Sequence, residues 1–196
     1  MRKLVYVRIV HTSADMGSLG EELIHVAISK IGREKWEENQ RLIEQFWDEL
    51  EKEIFQLNLD LEQTRIYQDG LPCEGEMGMK IVRSTAGLGS KNYQIIEKMV
   101  AKGARIVATE NPELLIEERN LALDILKDSS TAEKEEATKK YIARKDILLE
   151  QRDAYIASKI NNTLENEKTG VLFIGAEHNV IPKLAEDIEV LDLVKH

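Results

Sequence analysis

Four short segments rich in β-branched and aromatic residues are each followed by side chains that can do acid–base or metal chemistry. The clearest of them, residues 170–174, is closed by a glycine and leads to Glu177 and His178. The other three, residues 4–10, 64–68 and 104–109, lead to His11, Asp69 and Glu110. If the segments are strands of one parallel sheet, their carboxyl ends meet at the crevice where such sheets bind ligands. We therefore predict a single site made of these five side chains.

Imidazoles and carboxylates in one crevice allow two kinds of chemistry. His11, Glu177 and His178 can hold a divalent metal such as Zn, Mn or Co, which lowers the pKa of a bound water. The same groups can instead act as general acid and base without a metal. A third interpretation makes them unrelated loop residues around a crevice that binds another ligand, with His178 as a packed structural histidine. The sequence leaves all three open.

A predicted helix before the last of these segments carries Glu150-Gln151-Arg152-Asp153-Ala154-Tyr155-Ile156-Ala157, and the segment itself ends Gly175-Ala176-Glu177-His178. This order resembles the C-terminal half of the TraB/Tiki/ChaN and erythromycin-esterase-like superfamily, in which an Arg-Asn/Asp pair on a helix precedes a strand ending in Gly-x-x-His. The superfamily has a second Gly-x-x-His at its N-terminal strand. Here Arg8 stands in the place of that glycine, and only His11 matches.

The resemblance implies His11, His178 and Arg152 as site residues, with Asp69 or Glu110 as the acid. Arg152 also has a simpler interpretation as a salt-bridge partner on a helix surface. Members of the superfamily include metal-dependent peptidases, hydrolases and haem-binding proteins, so the resemblance alone does not define the activity. We expect a hydrolase, with or without a metal, that acts on a small molecule or peptide. The alternative is a protein that binds a small ligand or assembles into oligomers without catalysis.

The elements that must position these residues alternate between strand and helix. This pattern predicts an α/β fold with a largely parallel sheet and flanking helices, in a single domain of residues 1–196. Two long amphipathic helices, residues 33–57 and 131–164, are predicted to pair antiparallel and to project from the domain. Such a pair can also join two copies, so a homo-oligomer is expected through the long helices.

Three local features complete the predicted pattern. Ser18 is the expected N-cap of a helix that ends near residue 31, and residues 128–131 are expected to separate two helices. Residues 80–83 are predicted to be extended. The glycine-containing turn at residues 87–91 precedes a helix, so it is a weak candidate for binding phosphate, with an ordinary N-cap at Ser90 as the simpler interpretation.

Composition limits the classes of partner. A net charge of -9 argues against general affinity for nucleic acid or anionic membranes, because both need a basic face. The single cysteine, Cys73, cannot form an intramolecular disulfide. No apolar run approaches the roughly 18 residues of a membrane-spanning helix, and the chain begins with a strand-like run rather than a leader segment. We therefore expect a cytoplasmic protein with no nucleic-acid or membrane partner.

Overall fold

A parallel five-stranded sheet forms the centre of the fold. The computed structural model describes residues 1–15, 20–127 and 130–193. The strands are β1 (Arg2–Ile9), β2 (Thr64–Gln68), β3 (Arg105–Val107), β4 (Thr169–Gly175) and β5 (Ile188–Leu193). They are ordered β3-β2-β4-β1-β5, and every neighbouring pair is parallel. The predicted α/β fold with a parallel sheet is confirmed.

In the described residues, α-helices flank this sheet, and short 3₁₀ helices lie at Leu61–Gln63 and Ile181–Lys183. The α-helices are α1 (Gly20–Ile31), α2 (Arg33–Gln56), α3 (Gly75–Gly87), α4 (Lys91–Ala101), α5 (Pro112–Leu126) and α6 (Thr131–Thr163). The start of α6 has a full capping box, in which Ser130 and Glu133 satisfy each other's backbone N–H groups. The predicted N-cap Ser18 and part of the predicted break at residues 128–131 lie outside the described residues.

The prediction that residues 80–83 are extended is wrong, because they lie within α3. The buried residues of this helix, Gly78, Val82 and Ala86, recur every four positions and so form one helical face. Gly78 has no room for a side chain, since a Cβ atom there would lie 2.5 Å from the carbonyl oxygen of Cys73. Among the glycines that suggested an irregular segment, Gly78 therefore serves close packing within a helix.

The sheet has a hydrophobic core on each face, because successive residues of a strand point to opposite sides. In β1, Val5 and Val7 join the core that α2, α3 and α4 cover. Leu4 and Tyr6 of the same strand join the core that α6 covers. Each fully buried apolar side chain stabilises the fold by roughly 1.5–3 kcal/mol. Burial on both faces explains why the strand segments read as almost continuous apolar runs.

The two long helices are present but do not pair with each other, contrary to the prediction. α2 contributes Trp47 to one core and α6 contributes Ile156 to the other, so the sheet lies between them. α6 packs against α5 instead, and Arg144 of α6 donates to both carboxylate oxygens of Glu117 at 2.6 and 3.0 Å. An apolar stripe shows which face of a helix is buried but not which element buries it.

The first half of α6 extends beyond the core, because Leu148 is the first buried residue of this helix.

Among the described residues, no helix combines the length and the apolar character needed to cross a membrane.

Candidate functional site

Asp69, the first residue after β2, lies at the centre of a group of charged side chains. Its backbone N–H donates to the carbonyl oxygen of Phe173 at 2.9 Å, which holds it against the neighbouring strand β4. Its Oδ2 atom accepts from the backbone N–H of Gly175 at 3.0 Å. The same oxygen lies 3.2 Å from Nε2 of His11 and 3.5 Å from Nε2 of His178. Both imidazoles therefore meet on one oxygen of the same carboxylate.

Gly175 leaves room for this convergence. A Cβ atom at this position would lie 3.1 Å from Oδ2 of Asp69 and 3.1 Å from Nε2 of His11. A larger residue would therefore push against both groups. The glycine that closes β4 in the sequence is the residue that lets the carboxylate and the imidazole approach the strand end.

Arg152 of α6 neutralises the carboxylates of the site. Its Nη2 atom donates to Asp69 at 2.6 Å and to Glu110 at 2.5 Å, and its Nε donates to Glu110 at 3.3 Å. Its Nη1 donates to Glu118 of α5 at 2.6 Å. The side chain is only 8% exposed, so Arg152 is not a salt-bridge partner on a helix surface. Burial alone would lower the pKa of Arg152, but the bonded Glu110 and the charges of Asp69 and Glu118 hold it above its usual value.

The two buried carboxyl groups respond differently to the same surroundings. Burial would raise the pKa of Asp69, but the hydrogen bond with His11 and the charges of His178 and Arg152 hold it well below its usual range. Burial raises the pKa of Glu110 to about 6, because desolvation there outweighs the bonds from Arg152. Asp69 is therefore a permanent anion near neutral pH, whereas Glu110 can gain or lose a proton.

His178 is held between two carboxylates. Its Nδ1 lies 2.5 Å from Oδ1 of Asp153, and Oδ2 of Asp153 accepts from the backbone N–H of Asn179 at 2.8 Å. Burial would lower the pKa of His178, but the bond to Asp153 and the charge of Asp69 raise it above its usual value. Asp153 and Glu118 are functional candidates that the sequence analysis missed. The signal for Asp153 was present in the Arg-Asp pair, whereas nothing in the sequence pattern indicated Glu118.

His11 is the most accessible of the predicted residues that meet here. Its side chain is 30% exposed, whereas those of Asp69, Glu110 and His178 are at most 6% exposed. Burial would lower its pKa, but the hydrogen bond with Asp69 and the charges of Asp69 and Asp15 raise it above the usual value.

The loop that follows His11 is anchored to the start of α4. Asp15 accepts from the backbone N–H and the hydroxyl of Thr12 at 2.6 and 2.9 Å, and it also bonds the hydroxyl of Ser90. Ser90 is the N-cap of α4 and accepts from the backbone N–H of Tyr93 at 3.3 Å. Ser90 is therefore an ordinary N-cap, which is the simpler of the two interpretations of the turn at residues 87–91.

A divalent ion would meet a suitable donor set among these residues. Asp69, Glu110 and His178 each offer a ligand atom, and these atoms lie within 4.8 Å of one another. Two carboxylates and an imidazole suit Zn, Mn or Co. Because Arg152 bonds both carboxylates, an ion and the guanidinium would share the same two carboxylate groups.

The predicted metal ligands were His11, Glu177 and His178, and only His178 belongs to the donor set that the structure forms. The carboxylate of Glu177 is exposed and pairs with Lys145 of α6 at 3.0 Å instead. Glu177 and His178 are neighbours in the turn after β4, but only the histidine side chain enters the site. Position in the sequence did not show which way each side chain of the turn would point.

Comparison with known proteins gave no match to any protein-family model, curated protein or solved structure. The resemblance of residues 150–157 and 170–178 to the TraB/Tiki/ChaN and erythromycin-esterase-like superfamily therefore stays a prediction.

Proposed function

We propose that this chain is a hydrolase whose reaction centre is the strand-end cluster, defined as His11, Asp69, Glu110, Arg152 and His178. The observation that supports this proposal is the meeting of two imidazoles on Oδ2 of Asp69, beside a buried glutamate with a pKa of about 6. Groups that exchange protons near neutral pH are the ones that hydrolysis needs, and shifted pKa values are typical of reaction centres.

His11 is the member that a substrate or an attacking water reaches, because the other members are at most 8% exposed. Its neutral imidazole accepts a proton from water as the water oxygen bonds to the carbonyl carbon of the substrate. The resulting imidazolium returns that proton to the leaving oxygen or nitrogen as its bond to the carbon breaks. Asp69 stabilises the imidazolium through the contact at Nε2, and Arg152 keeps Asp69 ionised.

Asp69, Glu110 and His178 are the residues that would hold a divalent ion such as Zn, Mn or Co. When bound, such an ion supplies a Lewis acid that polarises a carbonyl group and lowers the pKa of water. The protein residues keep their own tasks: Asp153 fixes the His178 ring, and Arg152 balances the charge of the carboxylates.

The second candidate function is the binding of a small ligand without catalysis. The specific observation in its favour is that the charged groups of the strand-end cluster already have partners within the chain. Arg152 donates from all three of its nitrogens, and both ring nitrogens of His178 face carboxylates. A network satisfied in this way is sufficient for a purely structural role, in which it holds the strand ends together around a ligand.

A hydrolysis screen of the purified protein against chromogenic esters and peptide amides distinguishes the two functions. The protein is stripped with a chelator and then tested alone and after adding Zn, Mn or Co. We expect hydrolysis that falls about 100-fold or more in His11→Gln, the usual loss when a general base is removed. His25→Gln, which changes an exposed histidine of α1, is the matched control and should keep full activity. No hydrolysis under any of these conditions would favour the ligand-binding alternative.

A further inference from the structure

A small cavity lies beside the accessible imidazole of the strand-end cluster, between the loop after β1 and the helices α1 and α2. Its volume is about 190 Å³. Helix α1 contributes Ile24 and Ala27 to its wall, and α2 contributes Trp36 and Ile43. Most of the wall is therefore apolar, as is usual for sites that take small organic molecules.

His11 supplies a polar group in this wall. It is the one member of the strand-end cluster that lines the cavity. Its Nε2 atom is engaged by Asp69 at 3.2 Å, and among the described residues its Nδ1 has no hydrogen-bond partner. An occupant thus meets the apolar residues of α1 and α2, the polar residues Thr12, Ser13 and Gln40, and an imidazole that bonds the centre of the cluster.

The volume limits the size of the occupant. Pockets for drug-sized ligands measure roughly 300–1,000 Å³, so this cavity is too small for one of them. A methylene group takes about as much space as a water molecule in the liquid, about 30 Å³, so the cavity holds about six such groups. A short aliphatic chain fits this space, whereas a bulky ring system does not.

We infer that the cavity binds the aliphatic acyl chain of the substrate, with the carbonyl or carboxylate end of that chain at His11. This inference rests on the proposed function, because it names the acyl group of the ester or amide that the cluster would hydrolyse. The substrate class is then an ester or amide of a carboxylic acid with a chain of about six carbons.

Binding can be measured without hydrolysis, because the protein has a tryptophan in the cavity wall whose fluorescence can be followed. Trp36 lines the cavity, and the second of the two tryptophans, Trp47, is fully buried in the core. Aliphatic carboxylates from acetate to octanoate are titrated while tryptophan fluorescence is followed. We expect the affinity to rise by up to about fourfold with each added methylene, the gain for complete burial of that group, and to stop rising at about six carbons. Equal affinity for all chain lengths, or no response of Trp36, would overturn the inference.

Two substitutions outside the strand-end cluster change the cavity in opposite directions. Ala27→Phe fills it and should remove the gain from chains longer than about three carbons, whereas Ile24→Ala enlarges it and should extend the gain to longer chains. Lys30→Phe is the matched control, since it adds the same ring at an exposed position of α1 and should leave the series unchanged. Because the two cavity variants must shift the series in opposite senses, a general loss of folding cannot imitate the result. The inference would be contradicted if the unsubstituted protein, Ala27→Phe and Ile24→Ala all gave the same dependence of affinity on chain length.

The inference and the proposed function can fail separately. Carboxylate binding that follows chain length, without hydrolysis of the matching esters, would retain the cavity as a binding site and refute the hydrolase. Hydrolysis that depends on His11 but is indifferent to acyl length in all three proteins would retain the hydrolase and refute the acyl site.

Discussion

Asp153 holds the imidazole of His178 in one orientation, with its Oδ1 atom 2.5 Å from Nδ1 of the ring. Both side chains are buried, and the second carboxylate oxygen is fixed by the backbone N–H of Asn179. With Nδ1 engaged in this way, the ring turns Nε2 towards Asp69, the residue on which the strand-end cluster converges. A carboxylate behind a site histidine fixes the tautomer of that histidine and raises its basicity.

Replacing Asp153 with asparagine tests this relationship. The substitution removes the negative charge while keeping the shape, so the pKa of His178 should fall and activity or metal affinity should drop about 10- to 100-fold. Histidine NMR titration of chelator-treated protein measures the pKa. Asp146→Asn, at an exposed position of the same helix, is the control and should leave His178 unchanged. A His178 pKa that does not move in Asp153→Asn would show that Asp153 does not set its protonation.

His178→Ala is expected to lower both stability and site function. Both ring nitrogens have partners in a buried position, so removing the ring leaves Oδ1 of Asp153 without its partner and should cost about 1–3 kcal/mol of the free energy of unfolding. The loss of one of the donor atoms near Asp69 and Glu110 should also weaken metal binding. Thermal melting and metal content are measured on the same variant, with His25→Ala as the exposed control. Reduced stability with unchanged metal content would exclude His178 as a ligand.

Much of the architecture was predictable because it depends on local patterns. Buried parallel strands are apolar on both faces, so residues 4–10 and 170–174 stand out as nearly continuous apolar runs. The positions just after such strands are also predictable, since a parallel sheet brings its carboxyl ends to one edge. His11, Asp69, Glu110 and His178 all lie at that edge.

The contacts that depend on distant parts of the chain were not predictable in this way. Glu118 bonds Arg152 across 34 positions, and no periodicity in α5 distinguishes it from its charged neighbours. The same difficulty explains Glu177, because the sequence shows that a turn follows β4 but not which of its side chains points inward. The partner of α6 was missed for a similar reason, since several elements could have covered its apolar stripe.

The contribution of Glu110 to the stability of the chain should fall as the pH rises from about 4.5 to about 6. Folding raises the pKa of Glu110 from 4.5 to about 6, so the folded chain holds this proton more tightly than the unfolded chain. Stabilisation from this group is complete below pH 4.5 and is lost as pH rises through 6, a change of about 2 kcal/mol. Asp69, with its lowered pKa, contributes a constant amount over this window. Urea unfolding at a series of pH values measures the slope.

Glu110→Gln identifies the group responsible for this slope. Without a titrating carboxyl group at position 110, stability between pH 4.5 and 6 should vary less than in the unsubstituted chain. The raised pKa values of His11 and His178 add a separate loss of stability as the pH rises above about 6.5, and this part should remain in the variant. An identical slope between pH 4.5 and 6 in both proteins would mean that Glu110 does not hold the proton.

Arg152→Gln should destabilise the fold and make it more responsive to divalent ions. The substitution leaves the buried charges of Asp69 and Glu110 without the guanidinium that they share, and breaking a buried pair in this way costs about 3–5 kcal/mol. A divalent ion can replace part of the missing positive charge, because it would bind the same two carboxylate groups. Adding Zn or Mn should therefore raise the melting temperature more in the variant than in the unsubstituted chain. Arg144→Gln, which removes the more exposed contacts of this side chain with Glu117 and Gln151, is the control and should show little change in either measurement. Equal metal responses in all three proteins would show that Arg152 and a metal ion do not compete for these carboxylates.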